Sequence, residues 1–234
     1  MEDHLKHLNR RIDHTLLAPD ATAAAVERLC DEAIEYHFGA VVVNPAWVAH
    51  AFMLLEASDI AVVSVAGFPL GAARTDIKVA EASAAVEDGA SEIDMVAAIG
   101  LIADNSFDTA RKEIEAVRRL LPENVILKVI IEVSLLSRDQ QVEGARAVAD
   151  AGANFVKTST GFFGGATVEQ VRTLYEAIQG KIGVKASGGI RTLEQCRKLL
   201  AVGASRLGTS ASVQIMQQYL EAGGNTEEPP YNNR

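Results

Sequence analysis

The sequence predicts a single (β/α)8 barrel of the TIM type, and three observations predict it. A helix-like stretch that ends in Gly-Ala and runs directly into an apolar segment recurs four times, at Gly39-Ala40, Gly89-Ala90, Gly152-Ala153 and Gly203-Ala204, with Gly180 before Ile182-Gly183-Val184 as a looser fifth. Glycine is the residue that closes a helix in the left-handed conformation before a tight loop into a strand. The segments after these junctions are short, β-branched and continuously apolar, as strands of a parallel sheet buried on both sides are. Roughly eight strand-helix units fit in the chain at about 29 residues each, near the size of a βαβ repeat. The competing arrangement is an open doubly wound sheet. Its dinucleotide-binding form would carry Gly-x-Gly-x-x-Gly after the first strand, where this chain has none.

The elements follow in order. A short first strand at Ile12-Asp13 leads to a helix over residues 23–36 opened by Thr22, then strands over 41–43 and 60–65. Thr75 opens a helix over 76–86, the fourth strand takes 93–96, and Ser106 opens a helix over 107–121. The fifth strand is expected over 125–133, on which Lys128 and Glu132 would share one alternating face. Ser137 then opens a helix over 138–149, and the sixth strand takes 153–156. Thr167 opens 168–178, the seventh strand takes 182–185, and Thr192 opens 193–201. The eighth strand takes 205–207, and Gly208, Thr209 and Ser210 open the last helix. Hydroxyl caps with acidic residues in the first turn are the expected start chemistry, and Thr167 with Gln170 fits a capping box. The barrel is expected to take residues 1–224 as one domain, with 225–234, including Pro229-Pro230, as a loosely ordered tail.

Composition limits the function classes. The 234 residues are 48% hydrophobic and 23% charged, enough to bury a core without a metal or disulfide staple. Only Cys30 and Cys196 are present, both in helical stretches, which fits buried apolar residues in a reducing compartment. The charged N-terminus does not resemble a secretory signal and no apolar run approaches the ~20 residues that span a bilayer, so a cytoplasmic protein with no membrane partner is expected. Lys plus Arg number 22 against 31 Asp plus Glu, a net charge of −9 without a basic cluster, which argues against a nucleic-acid partner. An anionic ligand would have to be bound by local lysines and backbone dipoles against the overall field.

In a TIM barrel the chemistry sits where strands end and the following loops begin. Polar residues at those points here are Asp13, Asn44, Asp94, Glu132, Lys157 and Lys185, with Lys128 inside the fifth strand. Taken singly, Asp13 fits a turn cap and Lys128 with Glu132 fits a structural ion pair. Taken together, they put several charges in one partly desolvated barrel mouth, where charges pair or shift pKa. A desolvated lysine beside another cation loses its proton more readily, and its neutral amine can attack a carbonyl to form a Schiff base. The protonated imine is an electron sink for loss of a proton or cleavage of a carbon-carbon bond at the adjacent carbon. A nearby carboxylate can shuttle the protons. His4, His7, His14, His37 and His50 show no ligand spacing, so neither a metal nor another cofactor is expected. Gly188-Gly189 after the seventh strand and Gly208-Thr209-Ser210 after the eighth fall where TIM barrels bind phosphate on backbone N–H groups.

The sequence closely resembles the deoxyribose-phosphate aldolase family of class I aldolases. Seven segments carry the resemblance: Ile12-Asp13-His14-Thr15-Leu16-Leu17, Val43-Asn44-Pro45, Gly67-Phe68-Pro69-Leu70-Gly71, Glu92-Ile93-Asp94-Met95-Val96, Leu127-Lys128-Val129-Ile130-Ile131-Glu132, Phe155-Val156-Lys157-Thr158-Ser159-Thr160-Gly161 and Val184-Lys185-Ala186-Ser187-Gly188-Gly189-Ile190. The resemblance implies reversible cleavage of 2-deoxy-D-ribose 5-phosphate into D-glyceraldehyde 3-phosphate and acetaldehyde, within deoxyribonucleoside breakdown, by a homo-oligomer, a dimer or a tetramer. It also chooses between the lysines: Lys157 forms the Schiff base, Lys185 lowers its pKa, and Asp94 transfers protons. Gly161, Gly188, Gly189, Gly208 and Ser210 are expected to hold the phosphate, with Asp13, Lys128, Glu132 and Thr160 in support.

Three positions depart from the family's pattern. Val42 stands where Cys is common, the loop Phe162-Phe163-Gly164-Gly165 is slightly short, and Tyr231 is the tail candidate for the C-terminal tyrosine that some members bring near the site. Two other readings remain for the residues: the same imine chemistry on another substrate, as in a transaldolase or keto-acid aldolase, and a phosphosugar-binding regulator without turnover.

Overall fold

The computed structural model describes residues 5–226. Eight strands, β1 (Ile12–Leu16), β2 (Ala40–Val43), β3 (Ala61–Ala66), β4 (Glu92–Val96), β5 (Ile126–Ile130), β6 (Phe155–Lys157), β7 (Gly183–Ser187) and β8 (Arg206–Thr209), pair in sequence order. All pairings are parallel, and β8 closes on β1, so the barrel is complete. Nine helices among the described residues surround it: α1 (Ala23–Tyr36), α2 (Val48–Leu55), α3 (Thr75–Glu87), α4 (Ile99–Ala103), α5 (Phe107–Leu120), α6 (Arg138–Asp150), α7 (Val168–Ile178), α8 (Leu193–Ala201) and α9 (Ser212–Glu221). No helix among them is long and apolar enough to cross a membrane.

Alternation along each strand divides the core in two. Outward-facing side chains such as Ile12, Val41, Ile93, Leu127, Val156 and Leu207 join the helices in one continuous apolar annulus. Inward-facing residues of β2 and β3 form a second, small cluster of Ala40, Val42, Val63 and Val65, against which Leu17 and Phe68 pack. Val42, at the position where Cys is common, is thus an apolar wall residue of the barrel interior. The other strands point charges inward.

The helix starts follow cap chemistry where the side chain reaches the backbone. Ser137, Thr167 and Thr192 form capping boxes with Gln140, Gln170 and Gln195, and Thr22 accepts from Ala25 N. Thr75 instead lies inside α3, whose cap is Arg74, and the Ser106 hydroxyl turns away to donate to Asp104. The last helix starts at Ser212, because Gly208 and Thr209 still belong to β8. The fifth strand ends at Ile130, short of the expected residue 133. Glu132 adopts a left-handed φ of 52°, so it does not continue the face of Lys128, and no Lys128–Glu132 ion pair forms. Tyr231 and most of the 225–234 segment lie outside the described residues.

Gly89, Gly152, Gly180 and Gly203 have the positive φ expected of helix-closing glycines, but Gly39 does not. His37, at φ 52°, closes α1 in its place. Gly39 is required by crowding: a Cβ there would lie 2.2 Å from the carbonyl oxygen of Arg10, in the turn that precedes β1. Gly39→Ala should therefore cost on the order of 1–3 kcal/mol through forced backbone movement. Gly100→Ala, in α4 with nothing within 4 Å of the added methyl, should instead stabilise by about 0.4–1 kcal/mol. Urea unfolding of both variants checks the pair.

Candidate active site

Register brings the charged residues together. Lys157 pairs with Lys185 across β6 and β7, and Asp94 with Lys128 across β4 and β5. Neighbours at the same level of a parallel barrel point the same way, here into the interior. Asp94 Oδ2 accepts from Lys157 Nζ and from Lys185 Nζ, each at 2.6 Å, and Asp94 Oδ1 accepts from Lys128 Nζ at 2.8 Å. Lys185 Nζ also contacts Asp13 Oδ2. Below this level, Lys128 Nζ lies 2.5 Å from Glu92 Oε2, and Arg206 bridges Asp13 Oδ1 and the Glu92 carboxylate. Hydrogen bonds around Thr158 fix the two lysine strands to each other: Thr158 N donates to Lys185 O, and Ser187 N to Thr158 Oγ1, both at 3.0 Å.

The cluster's electrostatics follow from burial opposed by pairing. Burial pushes the Lys185 amine down, and Lys128 and Lys157 push it further; Asp13 and Asp94 oppose them, leaving it at about 8. Burial acting alone would raise Asp94, but Lys128, Lys157 and Lys185 outweigh it and hold its carboxyl well below the usual range. Asp13 is held at about 2 in the same way, with Lys185, Arg206 and Lys128 outweighing burial. Lys128 shows the reverse balance: burial lowers it, yet Asp94, Glu92 and Asp13 keep it raised, hence firmly protonated.

Over this cluster opens a cavity of about 360 Å³. Lys157 forms its floor, and its walls come from Thr15, Leu16 and Leu17 after β1, Thr160 to Phe162 after β6, Ser187 to Arg191 after β7, and Gly208 to Ser210 after β8. Lys157 is 3% exposed and lines the cavity; Lys185 is 0% exposed and lies behind it. At the far end, the backbone N–H groups of Gly161, Gly188, Gly189 and Ser210 donate to nothing among the described residues. Gly188 has φ 88°, and a Cβ on it would meet Gly164 O at 2.7 Å, so the short loop 162–165 lies flat against it. Phe162 leans edge-on against Phe68 across the mouth, with ring centroids 5.5 Å apart.

Of the expected residues, Lys157, Lys185, Asp94, Asp13 and Lys128 meet in one buried cluster, and Thr160, Gly161, Gly188, Gly189, Gly208 and Ser210 line the cavity above it. Glu132 stands apart. Its Oε2 accepts from Thr160 N at 2.9 Å and from Thr160 Oγ1 at 2.5 Å, so it anchors the β6 loop. The sequence reading missed Arg206, Glu92 and Arg191. Glu92 was legible by parity, two residues before Asp94 on the same strand face, and Arg206 as the one charged residue of its strand. Arg191 is exposed on the cavity rim, where only the folded loop reveals what it faces.

Comparisons with known proteins give the family. The family model described as DeoC/LacD family aldolase matches residues 9–217. A deoxyribose-phosphate aldolase of Natranaerobius thermophilus is 48% identical over 214 residues, covering 91% of this chain and 97% of the relative. One of Staphylococcus carnosus is 48% identical over 207 residues, covering 88% and 94%. The solved deoxyribose phosphate aldolase of Aeropyrum pernix, described as having a unique tetrameric structure, is 33% identical, superposes with a TM-score of 0.86, and shares 92% coverage of each chain. Barrel, buried lysine cluster and matched length lead to one conclusion: the chain belongs to the DeoC/LacD aldolase family.

Proposed function

We propose that this enzyme reversibly cleaves 2-deoxy-D-ribose 5-phosphate to D-glyceraldehyde 3-phosphate and acetaldehyde through a Schiff base on Lys157. One observation carries the assignment to Lys157: of the two amines that share Asp94 Oδ2, Lys157 alone lines the cavity. The neutral amine adds to the aldehyde carbon of the open-chain sugar, and loss of water leaves a protonated imine. The hydroxyl on the third carbon gives up its proton, the bond between the second and third carbons breaks, and its electron pair moves toward the imine nitrogen as glyceraldehyde 3-phosphate departs. The enamine left behind takes a proton on carbon, and water hydrolyses the imine to release acetaldehyde and the free amine.

Lys185 serves these steps as the group whose proton content changes near neutral pH. Asp94 touches both amines and gives the proton a path between them. Its carboxyl, held well below the usual range, passes the proton on rather than storing it in the resting site. The sugar phosphate is assigned to the free N–H groups of Gly161, Gly188, Gly189 and Ser210, with Arg191 at the rim. Two further expectations belong to this reading. Association of like chains is supported by the tetrameric relative and by the apolar α2, on which Phe52 and Met53 are 46% and 66% exposed. A reducing, cytoplasmic setting is supported by Cys30 and Cys196, whose thiols burial pushes up to about 11 and about 12.

Borohydride reduction in the presence of deoxyribose 5-phosphate should add covalent mass to Lys157, and Lys157→Leu should lose both the adduct and activity by orders of magnitude. Adduct on Lys185 in the wild-type protein would overturn the assignment. Ser210→Asp sets a carboxylate at the phosphate end. It should raise KM for deoxyribose 5-phosphate about tenfold or more while changing turnover of unphosphorylated 2-deoxyribose by less than about twofold. Steady-state kinetics on both sugars checks it.

A further inference from the structure

The interior of the barrel holds charges from six strands: Asp13 on β1, Glu92 and Asp94 on β4, Lys128 on β5, Lys157 on β6, Lys185 on β7 and Arg206 on β8. The remaining two strands present only the aliphatic side chains of the inner cluster. Glu132, at the end of β5, is committed to Thr160 and Ser134 and makes no ion pair with these lysines. The connected set therefore contains four cationic side chains and three carboxylates.

An unbalanced charge in such a cluster is expensive even though the Arg206 side chain is 15% exposed, and releasing a proton relieves it. Asp13 and Asp94, whose carboxyls the surrounding cations hold low, have no proton left to give, and Glu92 faces Lys128 and Arg206. Arg206 does not deprotonate in a protein. Lys128 is held by three carboxylates, Glu92 at 2.5 Å, Asp94 at 2.8 Å and Asp13 at 3.8 Å. The two remaining amines are Lys157 and Lys185, which share one oxygen atom of Asp94. Arg206 sits at the end of the cluster away from the cavity, gripping Asp13 through Nε at 2.7 Å and Glu92 through both terminal nitrogens, and it does not line the cavity.

We propose that Arg206 is a positioning residue for the aldolase reaction: its fixed charge leaves the buried cluster one cation in excess and so keeps one amine of the Lys157–Lys185 pair unprotonated. The inference rests on the imine mechanism for its consequence in turnover, but the charge balance itself is a property of the unliganded protein. The lowered Lys185 amine agrees with it. Without Arg206, three lysines would face three carboxylates, and every lysine could keep its proton.

The experiment compares wild type, Arg206→Met and Glu92→Gln by two readouts: the pH dependence of borohydride-trapped imine formation, and direct titration of lysine Nζ by NMR on 15N-lysine-labelled protein without substrate. Arg206→Met should move the rising limb and the Nζ titration up by about one pH unit or more, a roughly tenfold loss at pH 7 that higher pH restores. Glu92→Gln, which widens the excess to two cations, should move both down. Opposite shifts from two substitutions on the same contact are not what a merely structural role gives, since structural damage lowers the rate at every pH. Unmoved Nζ titrations in either folded variant would overturn the proposal, even with the imine trapped on Lys157. Shifted titrations with no imine on any lysine would sustain the charge balance and sink the aldolase reading instead. Should Arg206→Met not fold, the downward shift in Glu92→Gln still decides the matter.

Discussion

Asp94 Oδ2 lies 2.6 Å from both Lys157 Nζ and Lys185 Nζ, beneath the cavity, with Asp94 and Lys185 fully buried. A single buried ammonium beside a carboxylate is a stable ion pair with no reason to lose its proton. A second ammonium on the same oxygen changes that, because one carboxylate atom cannot satisfy two full positive charges in a poorly solvated space. In the proposed mechanism the amine that faces the cavity needs a neighbour that takes and returns protons, and the amine behind it needs a carboxylate through which to be felt. One shared oxygen supplies both.

The uneven interior of the barrel makes this possible. β2 and β3 give aliphatic side chains only, so one side of the cluster meets a wall that cannot solvate charge. The ionic side is packed tightly enough that each carboxylate touches more than one cation. Such networks contribute little net stability, because desolvation offsets most of the attraction. The largely apolar annulus between strands and helices holds the barrel closed. The charges do impose register: a slip of one residue in β6 or β7 would send a lysine outward, away from the carboxylates it now meets.

This division explains what could be read in the chain. Continuous apolar strands and glycine-closed helices report the annulus, and they gave the barrel and the order of its elements. β1 was read too short because Asp13, His14 and Thr15 hide it: Asp13 faces the cluster, while His14 faces outward, its ring nitrogens 2.9 Å from Ser212 Oγ and 2.8 Å from Glu32 Oε2. β5 was read too long because Ile131 and Val133 are buried although the strand has ended; apolar burial does not distinguish a strand from the turn after it. Lysines ending two adjacent apolar strands were visible as an anomaly. Closure of the barrel, which sets Arg206 against Asp13 across 193 residues, is written in no local pattern. The left-handed Glu132 was invisible for a related reason, since its conformation is held by Thr160, 28 residues on.

The same economy governs the other end of the cavity. A sugar phosphate brings about two negative charges near neutral pH. Bound by the lysines, those charges would favour the ammonium forms and quench the nucleophile that the proposed mechanism requires. The lysines are already engaged with Asp13, Glu92 and Asp94, and the N–H groups free to meet an anion belong to Gly161, Gly188, Gly189 and Ser210. Fixed backbone dipoles attract an anion without having a proton to exchange with it. On the proposed reading, a protein of net charge −9 holds a phosphate at one end of a 360 Å³ cavity and an uncharged amine at the other because the two are served by different kinds of positive charge. Glycine at 188, where a methyl group would strike Gly164 O at 2.7 Å, lets the 162–165 loop pack against the turn after β7 at that end of the cavity.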